Sequence, residues 1–141
     1  MSNLKSEILA QLEKPRLAAV ATITEGGLPW VRYMMVSADK DLTIRSATFA
    51  NSRKIGHLKK NPEVHLTFGI DAVGQMATYF QVQGKAVFDA TPAVKKAYWN
   101  DQLKNYFKGP DDPNYGVMIV KPYKIEAWKP GATKPEIWKA A

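Results

Sequence analysis

The chain has 141 residues, about one average domain, which buries enough surface to fold without covalent or metal staples. It contains no cysteine, which excludes disulfides, thiolate catalysis and cysteine metal sites, and no apolar run near the roughly 20 residues of a membrane span. The formal net charge of +7 allows a partner that carries phosphate, but dispersed lysines are typical of solvated faces, so a nucleic acid is not the expected partner.

The first part of the chain predicts one helix and three strands. In "MSNLKSEILAQLEK", Leu4, Ile8 and Leu12 share one helical stripe, and Pro15 follows. This segment lacks the basic end and apolar block of a signal peptide, so we expect a cytoplasmic protein without membrane contact. "RLAAVATIT" and "WVRYMMVS" predict a hairpin around the turn "EGGLP", and "LTIRSAT" predicts a third strand ending near Thr48.

The second part predicts two more helices and three more strands. Ser52 is the expected N-cap of a short helix that Asn61 and Pro62 end, and "EVHLTFG" is a strand with one buried face. The long strand in "MATYFQVQGKAVFDA" is interrupted by Gly84, which indicates a bulge or a bend. "TP" at 91–92 begins a third helix through about residue 107. The last strand, "VMIVKPYKIEAW", is expected to be bent or broken near its proline.

These elements predict a mainly β fold with peripheral helices. Six or so strands, joined mostly by short antiparallel turns, close most economically into a small barrel. No repeat, linker or low-complexity segment divides the sequence. We therefore expect one domain, residues 1–141, built as a six-stranded antiparallel barrel with about three flanking helices.

The start of the second helix combines a hydroxyl with two cations, Ser52, Arg53 and Lys54. A helix start has free backbone N–H groups and the positive end of the helix dipole, so it favours anions over cations. Neighbouring strands add further donors, namely Arg32, Arg45 and Thr48. Together these groups predict a phosphate cradle, whereas the alternative is a capped helix with solvated basic residues.

Other candidate groups are less specific. Gln81 could recognise a heterocycle and Trp128 could stack on one, although a solvated glutamine and a tryptophan that covers core are the alternatives. His57 and His65 lie on different predicted elements without a carboxylate cluster, so we expect structural roles and no metal site. No G-x-G-x-x-G, P-loop or G-x-S-x-G motif is present, and the catalytic residues stay unknown.

Taken in order, these motifs resemble the split-barrel FMN-binding proteins related to pyridoxamine 5'-phosphate oxidase, and within them the small general-stress-protein type. The resemblance covers about residues 15–131. It is carried by "SRK" with "NPEVHLTF", and by "RYMM", "FQVQGKA", "IEAWKPG" and "YFKGPDDPNY". It implies a split barrel, FMN as the cofactor, and a homodimer in which two subunits complete each flavin site.

The resemblance also assigns residues. Arg53 and Lys54 would bind the FMN phosphate, with Ser52 capping their helix. The residues expected along the ribityl chain and the flavin ring are Arg32, Tyr33, Met34, Met35 and Thr48. Gln81 and Trp128 would come from the facing subunit.

Two departures from the oxidase argue against pyridoxamine phosphate oxidation. Ser37 stands where the oxidase has a substrate lysine, and an R-x-H-x-R pattern is replaced by Lys134, Glu136 and Trp138. The expected function is therefore an FMN-dependent oxidoreductase acting on an unidentified small-molecule substrate or electron donor, and the resemblance to the general-stress-protein type implies a stress-related role. The alternatives are a flavin carrier or sensor without turnover, a basic barrel that binds single-stranded nucleic acid, and a deazaflavin or haem in place of FMN.

Overall fold

The computed structural model describes residues 3–141. The part described contains three α-helices and one 3-10 helix, at Leu4–Leu12 (α1), Arg53–Lys60 (α2), Pro92–Tyr98 (α3) and Asp101–Asn105. It also contains seven strands, at Arg16–Ile23 (β1), Pro29–Ala38 (β2), Ile44–Phe49 (β3), Glu63–Phe68 (β4), Tyr79–Asp89 (β5), Tyr115–Trp128 (β6) and Glu136–Lys139 (β7).

The strands form one antiparallel sheet in the order β3-β2-β1-β4-β5-β6-β7. An additional pairing of β3 with β6 closes six of them into a barrel, which confirms the predicted mainly β fold. The strand β6 makes this closure possible because it pairs with β5 along its length, with β3 through its first half and with β7 through its second half. The short strand β7 was not predicted, since its four residues follow a proline and carry little periodicity.

The core lies inside the barrel and follows from the alternation of side chains along each strand. Val20, Leu66, Val82 and Ile125 form one row across four neighbouring strands, and all four side chains are fully buried. The predicted apolar stripe of α1 is buried as well, so this helix packs against the barrel. Each such side chain stabilises the fold by about 1.5–3 kcal/mol through its removal from water.

The prediction of one long third helix is wrong. The helix α3 ends at Tyr98 because Trp99 takes an extended backbone, with ψ 136°. The side chain of Asn100 then accepts a hydrogen bond from the N–H of Gln102 at 3.0 Å and begins a separate 3-10 helix. An asparagine favours such local capping over a helix interior, and it competes here with the continuation of α3.

The bulge predicted at Gly84 is confirmed. The pairing of β5 with β6 shifts register between Gln83 and Gly84, and Tyr123 is the extra residue on β6. Pro122, which has no N–H to donate, pairs with Gly84 at this irregularity. The strand β6 is therefore continuous through Pro122 and is not broken there.

Gly84 is required at the bulge because no room remains for a side chain. A Cβ atom on Gly84 would lie 2.9 Å from both the carbonyl oxygen of Lys121 and Cγ1 of Val120. We expect Gly84→Ala to lower the free energy of unfolding by about 1–3 kcal/mol, as overpacking does elsewhere. Urea unfolding at fixed protein concentration measures this loss. Gly109→Ala is the control, since a Cβ there meets no atom within 4 Å, and equal stability of the two variants contradicts the argument.

Candidate functional site

The helix α2 begins with the cap that the sequence predicted. Ser52 has an extended backbone (φ −70°, ψ 143°), and its hydroxyl accepts a hydrogen bond from the N–H of Lys54 at 3.4 Å. The first turn of α2 contains no acidic residue. The positive end of the helix dipole is therefore not neutralised by a carboxylate of its own first turn.

Lys54 lies at the centre of this helix start and is only 8% exposed. Its ammonium group donates hydrogen bonds to the hydroxyls of Thr48 and Ser52, the latter at 2.8 Å. Burial, and secondly the repulsion of Arg32, lowers the pKa of Lys54 from 10.5 to about 8. Within residues 3–141 this ammonium forms no ion pair, and its side-chain partners there are two neutral hydroxyls.

Two guanidinium groups lie near this ammonium. Arg32 donates to the carbonyl oxygens of Val20 and Trp30 at 3.2 and 3.3 Å, and Arg53 lies over the ring of Trp30 at 5.7 Å. Burial, and secondly the charge of Arg53, lowers the pKa of Arg32. In the described part of the chain neither guanidinium meets a carboxylate. Three cations therefore lie near the start of α2 without a compensating carboxylate among the described residues, and Arg32 is repelled by both of the others.

A cavity of about 540 Å³ adjoins these cations. It is lined by six of the ten residues predicted for the cofactor site, namely Arg32, Tyr33, Met34, Met35, Thr48 and Lys54. Ser52 and Arg53 do not line the cavity, but the hydroxyl of Ser52 accepts a hydrogen bond from Lys54, which does. The fold thus brings residues of β2, β3 and the start of α2, which are separate in the sequence, to the wall of one cavity.

The sequence analysis missed a second set of lining residues. These come from the end of α3, the 3-10 helix and the residues after it: Tyr98, Asn100, Gln102, Leu103, Asn105, Tyr106 and Phe107. Three amides spaced among aromatic residues were a signal that could have found them. Of the two aromatic residues at the end of this set, Phe107 is buried, whereas Tyr106 is 65% exposed.

The structure does not bring Gln81 and Trp128 to this cavity in the same chain. Gln81 lines a separate polar cavity of about 230 Å³ with His65 and Glu126, on the outer side of the sheet. Trp128 donates to Glu126 at 3.2 Å and stacks on Tyr79, with ring centroids 6.4 Å apart. Their assignment to a facing subunit stays a prediction.

The outer side of β1 and β2 is apolar. Leu17 and Met35 are Cα partners, as are Ala19 with Tyr33 and Ala21 with Val31. Leu17, Val31, Tyr33 and Met35 are between 48% and 75% exposed. We call these residues the apolar face. Exposed apolar surface of this extent usually marks an interaction site, and Tyr33 joins this face to the cavity.

The two histidines lie outside the cavity. His57 is buried, and its Nδ1 shares a hydrogen bond of 2.8 Å with the hydroxyl of Thr22, in agreement with the structural role predicted for it. Burial lowers the pKa of His65, against the opposing charge of Glu126. Among residues 3–141, no group of three or more histidine, aspartate or glutamate side chains is arranged to hold a metal ion.

No helix within the described residues has the length and apolar character needed to cross a membrane.

Comparisons with known proteins define the class. The sequence model of the family described as pyridoxamine 5'-phosphate oxidase matches residues 4–129, and the chain belongs to that family. Within it, the chain is 31% identical over 133 residues to General stress protein 26 of Bacillus subtilis, and 94% of each chain is covered. Both findings confirm the resemblance that the motifs indicated.

Solved structures of other proteins have the same fold as this chain. General Stress Protein 26 from Bacillus anthracis str. Sterne superposes with a TM-score of 0.82 at 26% identity, covering 99% of this chain and 100% of that one. A structure described as F420 reductase superposes with a TM-score of 0.63 at 23% identity, covering 82% of this chain and 93% of that one. At that identity the second similarity shows the fold alone.

The uncompensated charge of Lys54 predicts an unusual pH dependence for the ligand-free protein. Between about 8 and 10.5 the unfolded chain holds this proton and the folded chain does not, so the free energy of unfolding should rise with pH across that window. Chemical unfolding in phosphate-free buffer, at several pH values, measures the slope. The contribution should disappear in Lys54→Met and persist in Lys59→Met, which removes an exposed lysine of the same helix. Identical slopes for wild type and Lys54→Met would contradict the burial argument.

Proposed function

We propose that this protein is a homodimeric FMN-binding flavoprotein, and an FMN-dependent oxidoreductase that acts on a small molecule. The observation that carries the proposal is the buried ammonium of Lys54, which faces a cavity together with Arg32 and has no anionic partner among the described residues. The family membership and the stress-protein relatives support the same conclusion.

The residues of the site fit the cofactor. A phosphate monoester carries nearly two negative charges at neutral pH and accepts several hydrogen bonds. Lys54, Arg32 and Arg53, with the positive end of the dipole of α2, supply matching positive charge, and their side chains supply donors. The volume of about 540 Å³ lies within the usual range for sites that hold cofactors.

A bound FMN supplies the redox chemistry, because its ring accepts and returns electron pairs. The chain's own residues then have three tasks. Lys54 and Arg32 hold the phosphate and so fix the position of the cofactor along β2. The buried apolar side chains of Met34 and Phe107 line the cavity and limit the access of water to it. Among the described residues no carboxylate or histidine lines the cavity, so the hydroxyls of Ser46, Thr48, Tyr98 and Tyr106 are the neutral O–H groups that could hold a proton there.

The dimer is proposed from the apolar face. A second copy packed on this face would bury Leu17, Val31 and Met35, whose exposure to water is otherwise unfavourable. The closed symmetry of a two-fold dimer uses the same face on both copies. Tyr33 belongs both to this face and to the cavity, so a copy packed here would reach the cavity of its neighbour. Gln81 and Trp128 are the groups proposed to enter that neighbouring cavity.

A deazaflavin is the competing cofactor, since the F420 reductase shares the fold. Haem is less favoured because neither histidine lines the cavity. The absorption spectrum of the purified protein, followed by mass spectrometry of the cofactor released by heat, distinguishes the three. A protein that holds FMN but oxidises no reduced nicotinamide and reduces no acceptor would be a carrier or sensor.

Reversing the charge of Lys54 tests the phosphate site. We expect Lys54→Glu to lose bound FMN, because a carboxylate in this place repels the phosphate, while the far-ultraviolet circular dichroism stays that of wild type. The flavin content per protein, measured by absorbance, gives the result. Lys59→Glu makes the same charge change on an exposed side chain of α2 and should retain the cofactor. Wild-type flavin content in Lys54→Glu would overturn the assignment.

A charge on the apolar face tests the dimer. Leu17→Arg places a guanidinium at the proposed subunit contact without altering a residue that lines the 540 Å³ cavity. Sedimentation should show a monomer, and the monomer should release FMN since each site needs both copies. Val87→Arg is the matched control, because Val87 is an exposed apolar residue outside this face. A dimeric Leu17→Arg protein, or a monomer that keeps its FMN, would refute this part of the proposal.

A further inference from the structure

The wall of the cavity built by residues 98–107 differs in chemistry from the phosphate end. Its polar groups are the amides of Asn100, Gln102 and Asn105 and the phenols of Tyr98 and Tyr106. None of these side chains is charged. The charged residues of the 3-10 helix, Asp101 and Lys104, lie outside the lining and pair with each other at 3.4 Å. We call this wall the amide wall.

Several polar groups of the amide wall are available to a ligand. The side chain of Asn100 uses its oxygen to cap the N–H of Gln102, which leaves its amino group free. The side chains of Gln102, Asn105 and Tyr106 form no hydrogen bond with any described residue. They therefore offer both donors and acceptors to a molecule in the cavity.

Ser37, behind the amide wall, is uncharged like the side chains of the wall itself. The hydroxyl of Ser37 lies 3.3 Å from the phenol oxygen of Tyr98, which donates to the carbonyl oxygen of Arg45 at 3.2 Å. Burial raises the pKa of Tyr98, so this phenol stays protonated and neutral at physiological pH. The guanidinium of Arg45 is paired with Asp39. Among residues 3–141, the cations that line the cavity are thus Arg32 and Lys54, and the cofactor phosphate would pair with both.

Aromatic rings complete the wall. Phe49 and Phe107 lie against each other with centroids 4.8 Å apart, and both line the cavity with Tyr106. Flat apolar surfaces of this kind favour ligands with planar rings.

We propose that the amide wall binds the substrate, and that this substrate is an uncharged planar molecule with hydrogen-bonding groups. The inference rests on the proposed flavin site and specifies what shares the cavity with the cofactor. A carboxylate or phosphate on the substrate would meet no counter-ion on the wall, whose residues Asn100, Gln102 and Asn105 are exposed and uncharged. A neutral carbonyl or amide instead exchanges its hydrogen bonds with water for those of Gln102 and Asn105.

Two probes of the same shape test the charge preference. Quinoline-3-carboxamide is neutral, and quinoline-3-carboxylate carries one negative charge. We expect the FMN-loaded protein to bind the carboxamide about tenfold more tightly, because the carboxylate finds no counter-ion on the wall and the carboxamide can both donate and accept hydrogen bonds there. Isothermal titration calorimetry on samples of known FMN content measures both affinities.

A cation introduced on the wall should reverse this preference. Asn105→Lys supplies a counter-ion to the cavity, so we expect it to strengthen carboxylate binding by about tenfold and to weaken carboxamide binding. Ala97→Lys adds the same charge to an exposed position of α3 that does not line the cavity, and it should leave both affinities unchanged. FMN content should equal that of wild type in both variants.

The outcomes separate the two proposals. An FMN-loaded protein that binds the carboxylate as tightly as the carboxamide, or that binds neither probe, overturns the amide wall and leaves the flavin site standing. The same holds if Asn105→Lys behaves like Ala97→Lys. A protein that takes up no FMN overturns the proposed function, and with it the inference that depends on it.

Discussion

The Lys54 ammonium is held out of water by hydroxyls, without a carboxylate beside it, and the rest of the site depends on this arrangement. Hydroxyl groups solvate a cation less well than water does, so the ligand-free chain holds this charge at a cost, which the lowered pKa of Lys54 reflects. The barrel enforces the arrangement because Thr48 is fixed in β3 and Ser52 in the cap of α2. An anion that binds here relieves the cost, and binding and folding are therefore linked.

The strand β2 explains how a chain of this size combines a core, the lining of a cavity and an exposed apolar face. Its alternation directs Met34 and Val36 into the barrel, whereas Tyr33 and Met35 lie on the apolar face. Arg32 reaches toward the cations of α2 from the same strand. A shift of one residue in the pairing of β2 would exchange these faces, so the register with β1 fixes all three roles at once.

The features that the sequence predicted are those set by local patterns. Alternating strands, the cap at Ser52 and the bulge at Gly84 each depend on a few neighbouring residues. The end of α3 was missed because an asparagine that suits both a helix end and a loop gave no decisive pattern. The amide wall was missed because its residues come to line the same cavity as Lys54 only through tertiary packing. The roles proposed for Gln81 and Trp128 would require a second copy.

The pairing of β3 with β6, which closes the barrel, also determines at what stage of synthesis the surroundings of Lys54 can form. Thr48 is the Cα partner of Gly116, so β3 acquires its second neighbour only after β6 has been made. Contacts between such distant segments form late and slow folding, since a long loop must be ordered first. A nascent chain that ends before β6 has the residues of α2 but no closed barrel to bury Lys54. The arrangement that buries Lys54 is thereby reserved for chains in which β6 has already been synthesised.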